Sequence, residues 1–287
     1  MAIFSVHFDG AITTRDHKVS IRVLANTYEH MQRAIDRSYL INKHGQVWKH
    51  ARLKGNEYAE TEFIAEYPRE GGIILDAARE GAEAIIDRIA AAVIPLFEAS
   101  TRQGVQLAES VAIQYQDRIA YVENMGRDTQ TFESLLDDPP DIWSKAYSSR
   151  SIVKEIDPLV SVIAHDENSC VDLRFVGSNV YQDMRFSPII AQRFHAIASN
   201  RQLAAPVIVR AKIRVLDRGN KRAMPSAKIE NIATGREVSL HLQERADFDV
   251  LHPYHDGREV LMYASPLTEA LGFDLYGGDL VFLDLVG

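Results

Sequence analysis

The densest group of chemistry-bearing side chains lies in residues 247–258. Asp247, Asp249, His252, His255 and Asp256 fall within ten positions. Imidazole and carboxylate together suit a divalent ion such as zinc or manganese, and a metal-bound water could then attack a phosphodiester. The spacing is not that of a helical zinc site. Its histidines are three apart rather than four, Pro253 stands between them, and no glutamate adjoins. The same residues also suit a plain polar loop between strands, because Asp and Gly supply turn geometry. A divalent metal at this loop is the one cofactor the pattern admits; no other cofactor is expected.

Two segments concentrate positive charge. Residues 30–54 hold Arg33, Arg37, Lys43, Lys49, Arg52 and Lys54 against one acid, Asp36, with Tyr39 and Trp48 interleaved. Residues 201–228 hold Arg201, Arg210, Lys212, Arg214, Arg218, Lys221, Arg222 and Lys228 against Asp217 alone. Cations interleaved with aromatic rings are what phosphate contact and base stacking require. The candidate contacts to a nucleic acid or partner protein are Arg37, Trp48 and Lys49, and Arg210, Arg214, Arg218, Lys221 and Arg222. The competing readings are a solvated helix face for the first segment and an edge strand guarded by charge for the second. Arginine outnumbers lysine 23 to 9, which favours bidentate pairing with phosphate or carboxylate.

Ser5, His7 and Asp9 alternate along one apolar segment and so share a strand face. Three residues on one short strand do not wrap into nucleophile, base and orienter, which come from separate elements. A hydrogen-bonded polar face is the expectation. The chain has no GxxxxGK[ST] loop, no GxGxxG fingerprint and no GxSxG elbow. Its single cysteine, Cys170, has no basic neighbour in sequence to mark it as a nucleophile. These absences favour a non-enzymatic reading.

The elements that must carry these residues follow from periodicity. Phe4, Val6 and Phe8 alternate as a strand closed by Gly10. Leu24, Tyr28, Met31, Ile35 and Tyr39 recur at helical spacing after Ser20, a suitable N-cap. Residues 62–65 and 73–76 flank Pro68–Arg69–Glu70–Gly71–Gly72 as a hairpin. Helices are expected around residues 85–96, ended or kinked by Pro95, and around 105–123. Residues 128–141 are acidic and hold Pro139–Pro140, which places a domain boundary there. Beyond it, residues 159–163 and 171–176 read as a hairpin, followed by a helix over 187–198. Further strands are expected at 207–216, 227–232, 237–242, 260–263 and 280–285.

The predicted class is α+β. An N-terminal α/β hairpin-and-helix domain spans residues 1–125 and an acidic linker spans 126–150. A β-rich domain, a small barrel or sandwich, spans 151–287. With 46% hydrophobic and 25% charged residues, the composition is that of a globular chain. A net charge of −8 argues against a polycation that coats nucleic acid. One cysteine excludes a disulfide framework within the chain. The start, MAIFSVHFDG, lacks a basic stretch followed by an apolar core. No apolar run approaches the roughly 20 residues of a membrane span. The expected compartment is the cytoplasm, with no membrane partner.

The first 80 or so residues resemble an uncharacterised family of bacterial and phage-linked proteins. The resemblance rests on His7–Phe8–Asp9–Gly10, Gln32–Ala34–Ile35–Asp36–Arg37, Val47–Trp48–Lys49–His50–Ala51 and the Pro68–Gly72 turn. It implies a place in phage–host conflict and no catalytic residue. The leading expectation is therefore a two-domain interaction protein, self-associating or a subunit of a defence or counter-defence complex. Nucleic-acid binding and metal-dependent phosphodiester hydrolysis are the alternatives.

Overall fold

The computed structural model describes residues 1–13, 19–65, 73–102, 104, 107–125, 128–220 and 223–287. In chain order its elements are β1 (Ala2–Gly10), α1 (Ile21–His44), α2 (Tyr58–Thr61), β2 (Ile64–Ala65), β3 (Ile73–Arg79), α3 (Glu83–Thr101), α4 (Val111–Met125), α5 (Phe132–Asp137) and α6 (Asp141–Ser161). They continue with β4 (Ser169–Val176), β5 (Tyr181–Phe186), α7 (Pro188–Ala198), β6 (Arg201–Leu203), β7 (Val207–Asp217), β8 (Ser226–Asn231), β9 (Arg236–His241), α8 (Ala246–Leu251), β10 (Glu259–Glu269) and β11 (Leu280–Leu285). The class is α+β, as the sequence predicts.

The chain forms two compact units. The first comprises Met1–Val47, Ala51–Leu107 and Ser148–Ser199; the second comprises Trp48–His50, Ala108–Tyr147 and Asn200–Gly287. The expected boundary at 126–150 is thus displaced. Residues 126–150 contain α5 and the start of α6, and Phe132 and Leu135 are buried in the core of the second unit. The segment is not a linker. The expected strand at 159–163 lies largely in α6. Ile152, Ile156, Leu159 and Ile163 are all buried, and their spacing is helical; a five-residue apolar run read alone does not distinguish helix from strand.

In the first unit an antiparallel sheet runs β2-β3-β1-β4-β5. The alternation in β1 buries Phe4, Val6 and Phe8 completely. Phe4 lies opposite Ala77 and Phe175, and Val6 opposite Leu75 and Leu173. Helix α3 packs against α1, α7, β1 and β4. Phe186 meets Phe97 and Phe194 at ring-centroid distances of 4.9 and 5.5 Å. Phe186 and Phe194 are fully buried, and each contributes about 1.5–3 kcal/mol. The Ser20 hydroxyl accepts from Val23 N–H at the start of α1, and Gly45 ends the helix in the left-handed region at φ 74°. The expected 62–76 hairpin is present as β2–β3, although its turn, Pro68–Gly72, lies outside the described residues. Pro95 does not end α3, which continues to Thr101.

In the second unit five strands close a barrel: β7 pairs β8, β8 pairs β9, β9 pairs β11, β11 pairs β10, and β10 returns to β7. All pairs are antiparallel except β9–β11. Counted within the barrel, the order is 1-2-3-5-4-1 with a helix, α8, between the third and fourth strands. That is the strand order of oligonucleotide-binding barrels. Val209, Ile229, Leu240, Met262 and Phe282 fill the interior, and α5 adds Phe132 and Leu135. Outside the barrel, α4 lays Tyr115 and Val122 against Val281 and Leu283.

Candidate functional site

The bulged strand β7 turns Arg210, Lys212 and Arg214 outward while Val209, Ala211 and Ile213 face the core. The neighbouring strands and α5 supply carboxylates to these cations. Arg210 lies 3.5 Å from Glu133, Lys212 lies 3.6 Å from Glu259, and Arg214 pairs with Glu230. On β8, Lys228 stands 3.3 Å from Glu237. The strand face is a ladder of opposite charges rather than a cationic groove. Sequence alone shows the arginines but not their partners, which come from residues 133 and 230–259.

At the β7–β8 connection the picture differs. Arg218 lies over the Phe248 ring at 5.6 Å, and Arg245 donates to the Asn220 carbonyl at 2.7 Å. These two contacts join the connection to α8. Gly219 holds φ 67°, and a Cβ there would meet the Ala223 carbonyl oxygen at 2.4 Å, so the tight turn requires glycine. Met224 and Val250, from the same two elements, are 50% and 40% exposed. Lys221 and Arg222 lie outside the described residues. The sequence reading found Arg218 but missed Phe248, Met224, Val250 and Arg245. Their signal was an apolar or aromatic side chain beside an arginine in each of two segments far apart in the chain.

The Asp/His loop is not gathered into one site. Asp247 is nearly buried, and its carboxylate accepts the backbone N–H groups of Gln243 and Glu244 at 3.0 and 2.9 Å. Burial raises its pKa, and those N–H groups oppose the rise. Asp256 turns to Arg258, 2.7 Å away. His252 packs beside Phe248, while Asp249 and His255 are exposed. Among the described residues no three His, Cys, Asp or Glu side chains are grouped to hold a metal ion. The helical turn of α8 and the following 3-10 turn fan these side chains in different directions.

The first basic segment is divided between the units. Arg37, on α1, donates to the Ala51 carbonyl at 3.3 Å in the first unit. Trp48 and Lys49 belong to the second. There the Lys49 N–H donates to Asp274, and its ammonium reaches Asp279 at 2.5 Å. His241 Nε2 lies 3.5 Å from the same Asp279 carboxylate. Burial alone would raise the pKa of Asp279; hydrogen bonds from His241 and Lys49 overcome it and hold the carboxyl well below the usual range.

On the second face of β1, Ser5, which is buried, His7 and Asp9 do not form a triad. Asp9 caps the Gly10 N–H at 2.7 Å, and His7 turns instead to Asp172 on β4, 3.3 Å away. Arg185 donates to the Cys170 sulfur at 3.0 Å, a basic neighbour brought by the β4–β5 pairing. Even so, burial pushes the thiol pKa up, and the Arg185 charge only opposes it. Among the described residues no helix is long and apolar enough to cross a membrane.

No family model, curated protein or solved structure matches the chain.

Proposed function

We propose that the protein is a non-enzymatic interaction protein that docks an acidic partner protein on the barrel end formed by the β7–β8 connection and α8. The observation that carries this reading is the make-up of that end. Arg218, Arg245, Phe248 and the half-exposed Met224 lie on two tethered elements. Arginine, methionine and aromatic side chains are the types protein interfaces concentrate. The resemblance of the N-terminal residues supplies the setting: a subunit or regulator in a bacterial or phage defence or counter-defence complex.

The test compares the full chain with a Met224→Asp, Arg218→Glu variant, by sedimentation velocity and by crosslinked affinity capture from the native host. The reading expects a defined partner, or a second copy of the chain, that the variant loses by about 30-fold or more, as for truncation of interface anchors. A monomer with identical captures for both forms overturns it.

A second reading, single-stranded nucleic acid on the same end, is favoured by the barrel's strand order. It predicts binding of labelled oligonucleotides that weakens steeply with salt and is lost in Arg218→Glu but kept in Met224→Asp.

A further inference from the structure

The sheet of the first unit ends in a strand with an unpaired side. Among the described residues, β5 pairs with β4 on one side and with no strand on the other. Its register with β4 runs unbroken from Tyr181 to Phe186, and its sequence, YQDMRF, holds neither proline nor lysine. Proline, lysine, a bulge or extreme shortness are the usual protections of a sheet edge. The opposite edge has the last of these, since β2 spans only Ile64–Ala65 among the described residues. β5 has none of them.

The hairpin fixes which backbone groups face this edge. The Gly177 N–H donates to the Val180 carbonyl at 2.9 Å and closes the β4–β5 turn. Bonded and non-bonded pairs alternate from there, so Gln182, Met184 and Phe186 direct their backbone groups to β4. Tyr181, Asp183 and Arg185 aim theirs outward. Among the described residues, the partner these outward groups have is the Gln182 side-chain amide, 3.1 Å from the Asp183 carbonyl.

The charges select how a second strand can add. Asp183 and Arg185 are exposed and flank the buried Met184. β4 already matches them, with Arg174 2.6 Å from Asp183 and Asp172 3.6 Å from Arg185. Only Tyr181, Asp183 and Arg185 offer outward groups, so a second β5 running antiparallel must pair these positions with one another. Centred on Asp183, the pairing sets two aspartates opposite each other; centred on Arg185, two arginines. Centred on Met184, it sets Asp183 opposite the partner's Arg185 and Arg185 opposite the partner's Asp183. Each such pair exchanges two backbone hydrogen bonds, and the two-fold axis makes the pairs equivalent. The alternating charges of β4 and β5 then continue across the junction.

We infer that the chain forms a two-fold dimer through antiparallel β5–β5 pairing centred on Met184, with Asp183 and Arg185 fixing the register. This surface is independent of the barrel end. Two six-residue edges bury less than the roughly 1,200 Å² of stable complexes, so association in the micromolar range is expected.

The test is sedimentation velocity of the full chain from about 1 to 300 µM. The expected result is a monomer that passes to a dimer as concentration rises. Asp183→Arg sets like charges opposite each other in the homodimer, and so does Arg185→Asp. Each should weaken self-association by about 10-fold or more, because both pairs turn from attraction to repulsion. Mixing these two variants restores opposite charges in both pairs, and the mixture should dimerise more tightly than either variant alone. Arg185→Pro removes an outward N–H without touching the β4 ladder and should also lose the dimer. Thermal melting checks that each variant folds. Met224→Asp with Arg218→Glu should leave the dimer intact. Overturning results are a monomer at every concentration, a dimer that all three β5 variants retain, a mixture no tighter than its components, or a dimer lost only in the barrel-end variant.

Discussion

Residues 48–50 lie far in sequence from the barrel, yet the structure makes them part of it. The contact that decides this is Lys49 with Asp279, and a double-mutant cycle tests it. Asp279→Asn keeps the shape and removes the charge; Lys49→Met keeps the aliphatic stem and removes the ammonium. The pair is 2.5 Å apart, with side chains 35% and 30% exposed. Solvent screening at that exposure places the coupling near the upper end for surface pairs, about 1 kcal/mol. Asp279→Asn also weakens the interaction with His241, so its total cost should be about 1.5 kcal/mol. For a chain of 287 residues that lowers the melting temperature by roughly 2–3 °C. The sign with pH follows from the depressed pKa of Asp279 in the fold. Such a carboxylate stabilises above its unfolded pKa, about 3.9, and the contribution disappears as pH falls through the lower folded value. The gap between wild type and Asp279→Asn should therefore be full at neutral pH and narrow below about pH 4. Calorimetry or circular dichroism melting across that range reads both effects. Zero coupling in the cycle, or a gap that stays constant into acid, would refute the assignment of Trp48–His50 to the barrel unit.

Two further outcomes are expected. The turn after β10 holds Ala270 and Leu271 at φ 48° and 64°, a left-handed pair that disfavours side chains with a Cβ. Replacing them together, Ala270→Asn with Leu271→Gly, should raise stability by about 1 kcal/mol, read as a higher melting temperature; a fall would show that those φ values are not a source of strain. Cys170, whose thiol pKa is raised by burial, should react with iodoacetamide at neutral pH more slowly than a free cysteine. Alkylation at or above the free rate would contradict the burial of its sulfur.

Much of the local structure is legible in the chain. The alternation of Phe4, Val6 and Phe8 is the buried face of β1, and Ser20 caps α1 as its position suggests. Ser187 followed by Pro188 marks the start of α7. The strands at 207–216, 227–232, 237–242 and 280–285 appear as β7, β8, β9 and β11 within a residue or so. These features are local: a cap or a period of two is complete within its own segment. What the tertiary structure decided are choices between distant segments. β4 and β5 follow the expected boundary, yet β4 pairs with β1, so both strands belong to the first unit. The arginines of β7 are visible in sequence, but whether they face solvent alone or meet Glu133, Glu230 and Glu259 depends on strand register and on where α5 docks. The edge position of β5 likewise depends on β1, β3 and β4 taking the inner places of the sheet. Side-chain type and spacing specify the face a segment buries. Which other segment covers that face is set by the packing of the whole chain, and partner charges and sheet edges exist only after that choice is made.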